Sequence, residues 1–217
     1  MAVLSAKALH KRIFDKEGDE RLIVTPLLDL DTQLSKNGAA IDVRLGTHFL
    51  VQRRTNIPAV DPMGKERESE YLNLQSRIII PYGHHFVLHP NQFALGGTIE
   101  YLKLPRDLSG YLIGKSSWGR LGLIVATAVG IHPNFRGIIT LELRNMGEVP
   151  FYLYPGLRIA QIFFHTVEGE LEKLESQSFY AGSTKPESYY RSVDRDRDLI
   201  NLISGHEDKR DSTLENN

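Results

Sequence analysis

The sequence predicts a mainly β domain with one short helix near its N-terminus. Three observations point there: stretches rich in β-branched and aromatic residues recur at short intervals, Gly, Pro, Asn and Asp punctuate them, and the opening segment carries a helical period. In that opening segment Ser5 can cap a run in which Leu9 and Ile13 repeat at a four-residue interval, and Gly18 closes it. The strand texture then runs through AAIDVRLGTHFLVQR, SRIIIPYGHHFVLHPNQFALGGTIEYLKL, GIITLELRNM, VPFYLYPG and LRIAQIFFHTVEG. Residues 54–71, RTNIPAVDPMGKERESEY, combine prolines, a glycine and a charge cluster and read as a surface loop. In GIITLELRNM, alternation sets Ile139, Leu141 and Leu143 on one face and Thr140, Glu142 and Arg144 on the other. The core is expected to end near Ser183. This gives a β domain over residues 1–183 and a polar tail over 184–217, in which Leu199, Ile200, Leu202 and Ile203 suggest a short amphipathic helix.

Composition narrows the function classes. At 217 residues, 41% hydrophobic and 24% charged, the chain can bury a sizeable core. Its 26 basic and 27 acidic side chains nearly cancel, so no overall field draws it to nucleic acid or to an anionic membrane, and an anionic ligand must be caught locally. The absence of cysteine removes disulfides, thiolate metal sites and a cysteine nucleophile, and fits a reducing compartment. The opening MAVLSAKALHKRIF has too short an apolar run for a signal peptide, and no stretch approaches the roughly 18 apolar residues of a membrane span. A cytoplasmic protein is expected.

Few motifs carry chemistry by themselves. His84, His85 and His89 crowd together in GHHFVLHP, but His84 and His85 on a strand face opposite ways and cannot both ligate one ion without a bulge, so they read as partly exposed strand histidines. The glycines in LGG, residues 95–97, lack the spacing of a phosphate-binding loop, and no dinucleotide fingerprint is present. In GKSSWGRLG, residues 114–122, Ser116 and Arg120 stand four apart, so a helical turn would set a hydroxyl and a guanidinium on one side. Read in isolation, Ser116 is a helix cap with a surface arginine, and Glu142 is a solvated strand residue beside Arg144.

The joint pattern changes that reading. The segments IDVRLG, HPNQFALGGTIEYLKLP, GKSSWGRLGLIV, IHPNFRG, LEL and YPGLRIAQIFF occur in an order that resembles the dCTP deaminase family, part of the dUTPase-like superfamily of trimeric β proteins. The resemblance covers residues 5–164. It implies a β-clip, or distorted jelly-roll, barrel assembled as a homotrimer, or as a hexamer, with sites at subunit junctions. It also implies hydrolysis of dCTP to dUTP and ammonia without zinc. Glu142 would be the general acid and base, while Ser116 and Arg120 would position the attacking water. Lys115 and Ser117 would hold the phosphates, Gln161 would lie near them, and Mg2+ would arrive with the triphosphate.

Residues 126–137 resemble the family's nucleoside hairpin. Its backbone, at Ala128 among others, would read the pyrimidine, and Phe135 would pack on the deoxyribose and exclude a 2′-hydroxyl. His132 falls beside the sugar, where the family usually carries an acid. In dUTPases that acid holds the 3′-hydroxyl and the hydrolytic water, so His132 argues against a diphosphatase. Tyr180 and Lys185 are the candidates for a closing C-terminal segment. A dUTP diphosphatase, a bifunctional deaminase and diphosphatase, and a nucleotide-binding homologue without turnover stay open as alternatives.

Overall fold

The computed structural model describes residues 2–34, 38–53, 55–56, 59–60, 74–127, 130–169, 182–186, 200 and 203. Helix α1 (Ala6–Phe14) forms where the four-residue spacing places it, burying Leu9 and Ile13 at 0% and 3% exposure. Ser5 is its N-cap and accepts from Ala8 N at 3.3 Å. The helix stops at Asp15 rather than at Gly18; Gly18 instead opens a 3₁₀ turn with a positive φ of 59°. Strand β1 (Ile23–Thr25) and the short α2 (Leu30–Gln33), capped by the Asp29 carboxylate, lead into the 13-residue β2 (Ala40–Gln52).

Strands β3 (Gln75–Ile79), β4 (Phe86–Leu88), β5 (Phe93–Lys103) and β6 (Leu108–Gly114) follow, then α3 (Ser116–Gly119). After them come β7 (Leu123–Val125), β8 (Gly130–Ile131), β9 (Arg136–Asn145), β10 (Phe151–Leu153) and β11 (Arg158–Thr166). Among the described residues the fold is mainly β: one nine-stranded sheet ordered β7-β9-β5-β2-β11-β6-β8, with β1 on β5 and β3 on β2, plus the pair β4–β10. Every strand pairing is antiparallel. Strand β2 joins the two halves of the curled sheet. Its Ala40–Arg44 part pairs with β11, and its Leu45–Gln52 part pairs with β5 and β3.

One apolar cluster fills the interior, taking Ile41, Val43 and Leu45 from β2, Leu141 and Leu143 from β9, and Ile162 and Phe164 from β11, each 0% exposed. Each such side chain contributes about 1.5–3 kcal/mol by leaving water. The alternation expected for β9 holds: Ile139, Leu141 and Leu143 are buried, and Glu142 and Arg144 are exposed. Strand β6 lies in LSGYLIG, where glycines dilute the strand texture. They are there for contact: a Cβ at Gly110 would sit 2.8 Å from the Phe163 carbonyl oxygen of β11.

One expectation changes. His84 and His85 are not on a strand, because β4 begins at Phe86; both are exposed, and the His85 ring stacks on Tyr152 at 4.3 Å. One compact unit comprises Met1–Arg53 with Gln75–Ser188; near its C-terminal end Gly182 N donates to Arg136 O at 2.6 Å and Ile138 N to Ser183 O at 3.0 Å. A second unit, Arg54–Leu74 with Tyr189–Asn217, holds most of the expected loop and tail, which lie largely outside the described residues. Ile200 and Ile203 are helical and exposed there, while Leu199 and Leu202 are outside the described residues. No described helix is long and apolar enough to cross a membrane.

Candidate active site

The hydroxyl and guanidinium pair stands where β6 gives way to α3. Lys115 N donates to Ile159 O at 3.0 Å, tying the end of β6 to β11, and Lys115 rather than Ser116 occupies the N-cap position, with no side-chain cap. Arg120 N donates to Ser116 O at 3.0 Å, so one helical turn does hold Ser116 and Arg120 together, as their spacing requires. Both side chains are exposed, as is Ser117. Trp118 anchors the turn: its indole N–H donates to Arg158 O at 2.7 Å, and its ring meets Phe151 edge-on at 6.0 Å.

Strand β7 carries the chain from α3 to β9, pairing Val125 with Leu143 and Leu123 with Asn145. Gly114, just before α3, lies close against Val125, whose Cβ would be 3.0 Å from a Cβ at that glycine. Glu142 is therefore on the strand next to the one that follows α3. Its backbone is fixed on both sides of the hairpin's first residues: Ala126 N donates to Glu142 O at 2.8 Å, and Glu142 N donates to the Thr127 hydroxyl at 2.6 Å. The carboxylate itself is exposed and makes no hydrogen bond or ion pair with any described residue, Arg144 included. Within one chain nothing joins it to Ser116 or Arg120 among the described residues.

The other candidates fall into two groups. Lys115 Nζ lies 2.8 Å from Asp42 Oδ2, and Arg158 reaches the same oxygen at 3.5 Å. Gln161 stands opposite Asp42 in the β2–β11 register and opposite Ile113 of β6. The second group surrounds the far end of the hairpin. His132 is exposed, and its carbonyl accepts from Phe135 N at 3.2 Å across a turn in which Asn134 has a φ of 64°. Phe135 is half-buried against the core. Gly137 (φ 144°) lies between the Phe135 ring and Ser183: a Cβ there would be 3.4 Å from Phe135 Cζ and 3.3 Å from Ser183 O. The segment Gly182–Pro186 thus passes beside Phe135 at Ser183, with Lys185 exposed and Pro186 buried against Gly97. Ala128 and Tyr180 lie outside the described residues.

The sequence reading missed two acids. Asp42 of β2 holds Lys115, and Glu100 of β5, 0% exposed, receives Arg44 N at 2.8 Å and Gln33 Nε2 at 3.0 Å, with the Arg44 guanidinium at 3.5 Å. Burial pushes the Glu100 carboxyl above its ordinary value, and the bonds and charge from Arg44 oppose the shift without cancelling it. Both acids stand in segments quoted for the family pattern, Asp42 in IDVRLG and Glu100 in GGTIEYLKLP, so their presence was legible while their partners were not. Among the described residues no group of three His, Asp or Glu side chains is placed to hold a metal ion.

Fold and site together define a β protein with a curled antiparallel sheet whose polar groups gather around a short helical turn and an adjoining hairpin. That architecture is shared with the 2′-deoxycytidine 5′-triphosphate deaminase of Agrobacterium tumefaciens: TM-score 0.55 at 23% identity, over 75% of this chain and 46% of that longer one. Residues 3–167 match the dCTP deaminase-like family, and the chain belongs to it. It is 37% identical over 180 residues to the dCTP deaminase of Halorubrum lacusprofundi, covering 81% of this chain and 86% of that one. It is also 37% identical over 193 residues to a dUMP-forming dCTP deaminase of Methanobrevibacter smithii, covering 87% and 94%.

Proposed function

We propose that the protein hydrolyses dCTP to dUTP and ammonia. The observation that carries this reading is a carboxylate, Glu142, fixed by its backbone on a rigid strand yet unpaired among the described residues, in a chain that also presents Ser116 and Arg120 on one exposed turn. An acid left free on an ordered element is available for proton transfer. Water adds to C4 of the cytosine ring while Glu142 takes its proton and passes it to N3. A second transfer through Glu142 to the amino group, with collapse of the C4 adduct, expels ammonia and leaves the uracil carbonyl. Ser116 and Arg120 orient the water and stabilise its developing charge.

Exposure of Ser116, Ser117, Arg120 and Glu142 in the single chain supports a site completed by a neighbouring copy, in a homotrimer. In this reading Lys115, Ser117 and Gln161 face the phosphates, and the hairpin with Phe135 and His132 takes the nucleoside. Lys185 arrives on the segment beside Phe135. Asp42 already faces two cations, so magnesium is carried by the triphosphate oxygens and water rather than by protein carboxylates. The proposed setting is the cytoplasm.

A second reading, deamination coupled to release of pyrophosphate, is favoured by the M. smithii relative, whose name states that it forms dUMP. His132 opposes it, since an imidazole replaces the acid that the diphosphatase reaction uses. Incubation with dCTP, dUTP, dCMP and CTP plus magnesium, assaying ammonia and pyrophosphate, separates the readings. Ammonia from dCTP without pyrophosphate is expected. Pyrophosphate in equal amount establishes the coupled reaction, and neither product with dCTP rejects both.

A further inference from the structure

Asp42 is an unusual acid for a surface salt bridge. It sits on β2 with its side chain 13% exposed, while the two cations that share its Oδ2 are progressively more open, Lys115 at 26% and Arg158 at 46%. The cluster is layered, with the carboxylate beneath and the cations toward solvent, and two positive charges over one negative charge leave a surplus of one. Arg158 is held from several sides. Its guanidinium also reaches Thr32 O at 3.5 Å, and its carbonyl receives the Trp118 indole from the turn that carries Ser116, Ser117 and Arg120. Both contacts the guanidinium makes with described residues run through one terminal nitrogen, so among the described residues its other N–H donors face no acceptor.

We infer that Arg158 is a second phosphate ligand, binding the terminal phosphates of the nucleotide beside Lys115, and that Asp42 is the positioning residue that fixes both cations. This rests on the phosphate-side placement of Lys115 in the proposed function. The chemistry fits: lysine is a point charge, whereas arginine offers the planar fork that grips a phosphate through two oxygens. A carboxylate beneath the pair sets their separation before substrate arrives, and the surplus charge attracts the anion. The ligand class is a nucleoside triphosphate rather than a monophosphate, because the cluster belongs to the Lys115 end of the site and not to the hairpin end.

The test is calorimetric titration of the full chain with dCTP, dCDP and dCMP in magnesium, alongside ammonia release. Arg158→Ala is expected to weaken dCTP binding by roughly 10–100-fold, the range for a hydrogen bond to a charged group, and dCMP binding far less. Arg158→Lys should recover part of the loss, because it returns the charge without the fork. In an Asp42→Asn background, Arg158→Ala should cost less than it does in the parent, which measures the positioning directly. An equal loss for all three nucleotides accompanied by a lowered Tm would reduce Arg158 to a structural tie, and additive effects of the two substitutions would remove Asp42 from its role. Ammonia release at parental dCTP affinity by Arg158→Ala rejects the inference and leaves the deaminase reading standing. Binding that depends on phosphate number and on Arg158, without any ammonia, does the reverse.

Discussion

Glu100 and Glu142 sit on neighbouring antiparallel strands, β5 and β9, and are opposites. Glu100 is sealed from water, receives a backbone N–H and a side-chain amide, and faces a guanidinium, all from its own chain. Glu142 has an equally well-fixed backbone, but its carboxylate projects from the exposed face and meets no described partner. A carboxylate whose bonds are all made within the chain is framework, since moving its proton would break the fold. One held on a rigid strand without partners can exchange a proton at little structural cost. With the proposed function, the two acids divide stability and chemistry between adjacent strands.

The sharpest attempt to break that division is Glu142→Gln. It should lower ammonia release by a factor of about 10²–10⁴ or more while Tm stays within about 0.5 kcal/mol equivalent, because proton transfer is lost and no packing changes. A variant with parental turnover would strip Glu142 of its role. Glu100→Gln should behave inversely. The Arg44 guanidinium, only 10% exposed, is left without its counter-charge, costing about 3–5 kcal/mol in denaturant unfolding, while the folded fraction retains its activity.

Acid titration of stability sharpens the comparison further. Burial raises the Glu100 carboxyl above its ordinary value of 4.5, so between that value and the folded-state one the native protein binds more protons than the unfolded chain. Stability therefore falls as pH rises through this window. Glu20 and Asp29, held low by Lys16 and Thr32 respectively, contribute in the opposite sense and lose their stabilisation as pH falls. The difference between the parent and Glu100→Gln curves isolates the Glu100 component, and a difference independent of pH would show that the acid is not protonated by burial. The smallest effect expected is at the first helix. Ser5→Ala removes the acceptor for Ala8 N and should cost about 1 kcal/mol, read from chemical denaturation, with no change in turnover.

What was legible in the sequence follows the range of the forces involved. Strands β2, β5, β9 and β11 are long, and their side chains alternate or run apolar, so local pattern revealed them. Strand β6 escaped because Gly110 is dictated by the approach of the Phe163 carbonyl, 53 positions away and invisible to any local window. The same limit applies to the site. Four-residue spacing foretold the Ser116–Arg120 turn, and alternation foretold the outward face of Glu142. Nothing local could show that Asp42 would meet Lys115, 73 positions on, or that Glu100 would find Arg44 across 56. Sequence reading recovered the groups that face outward and missed the long-range charge pairs Asp42–Lys115 and Glu100–Arg44.

Strand β2 is shared property. Its first residues belong to the half of the sheet with β11 and its last to the half with β5 and β3, so the halves cannot separate without tearing one continuous strand. Neither half can melt and leave the other standing. Backbone amides near Val43 and Leu50 should be among the last to trade hydrogen for deuterium, and heating should erase both halves in one step.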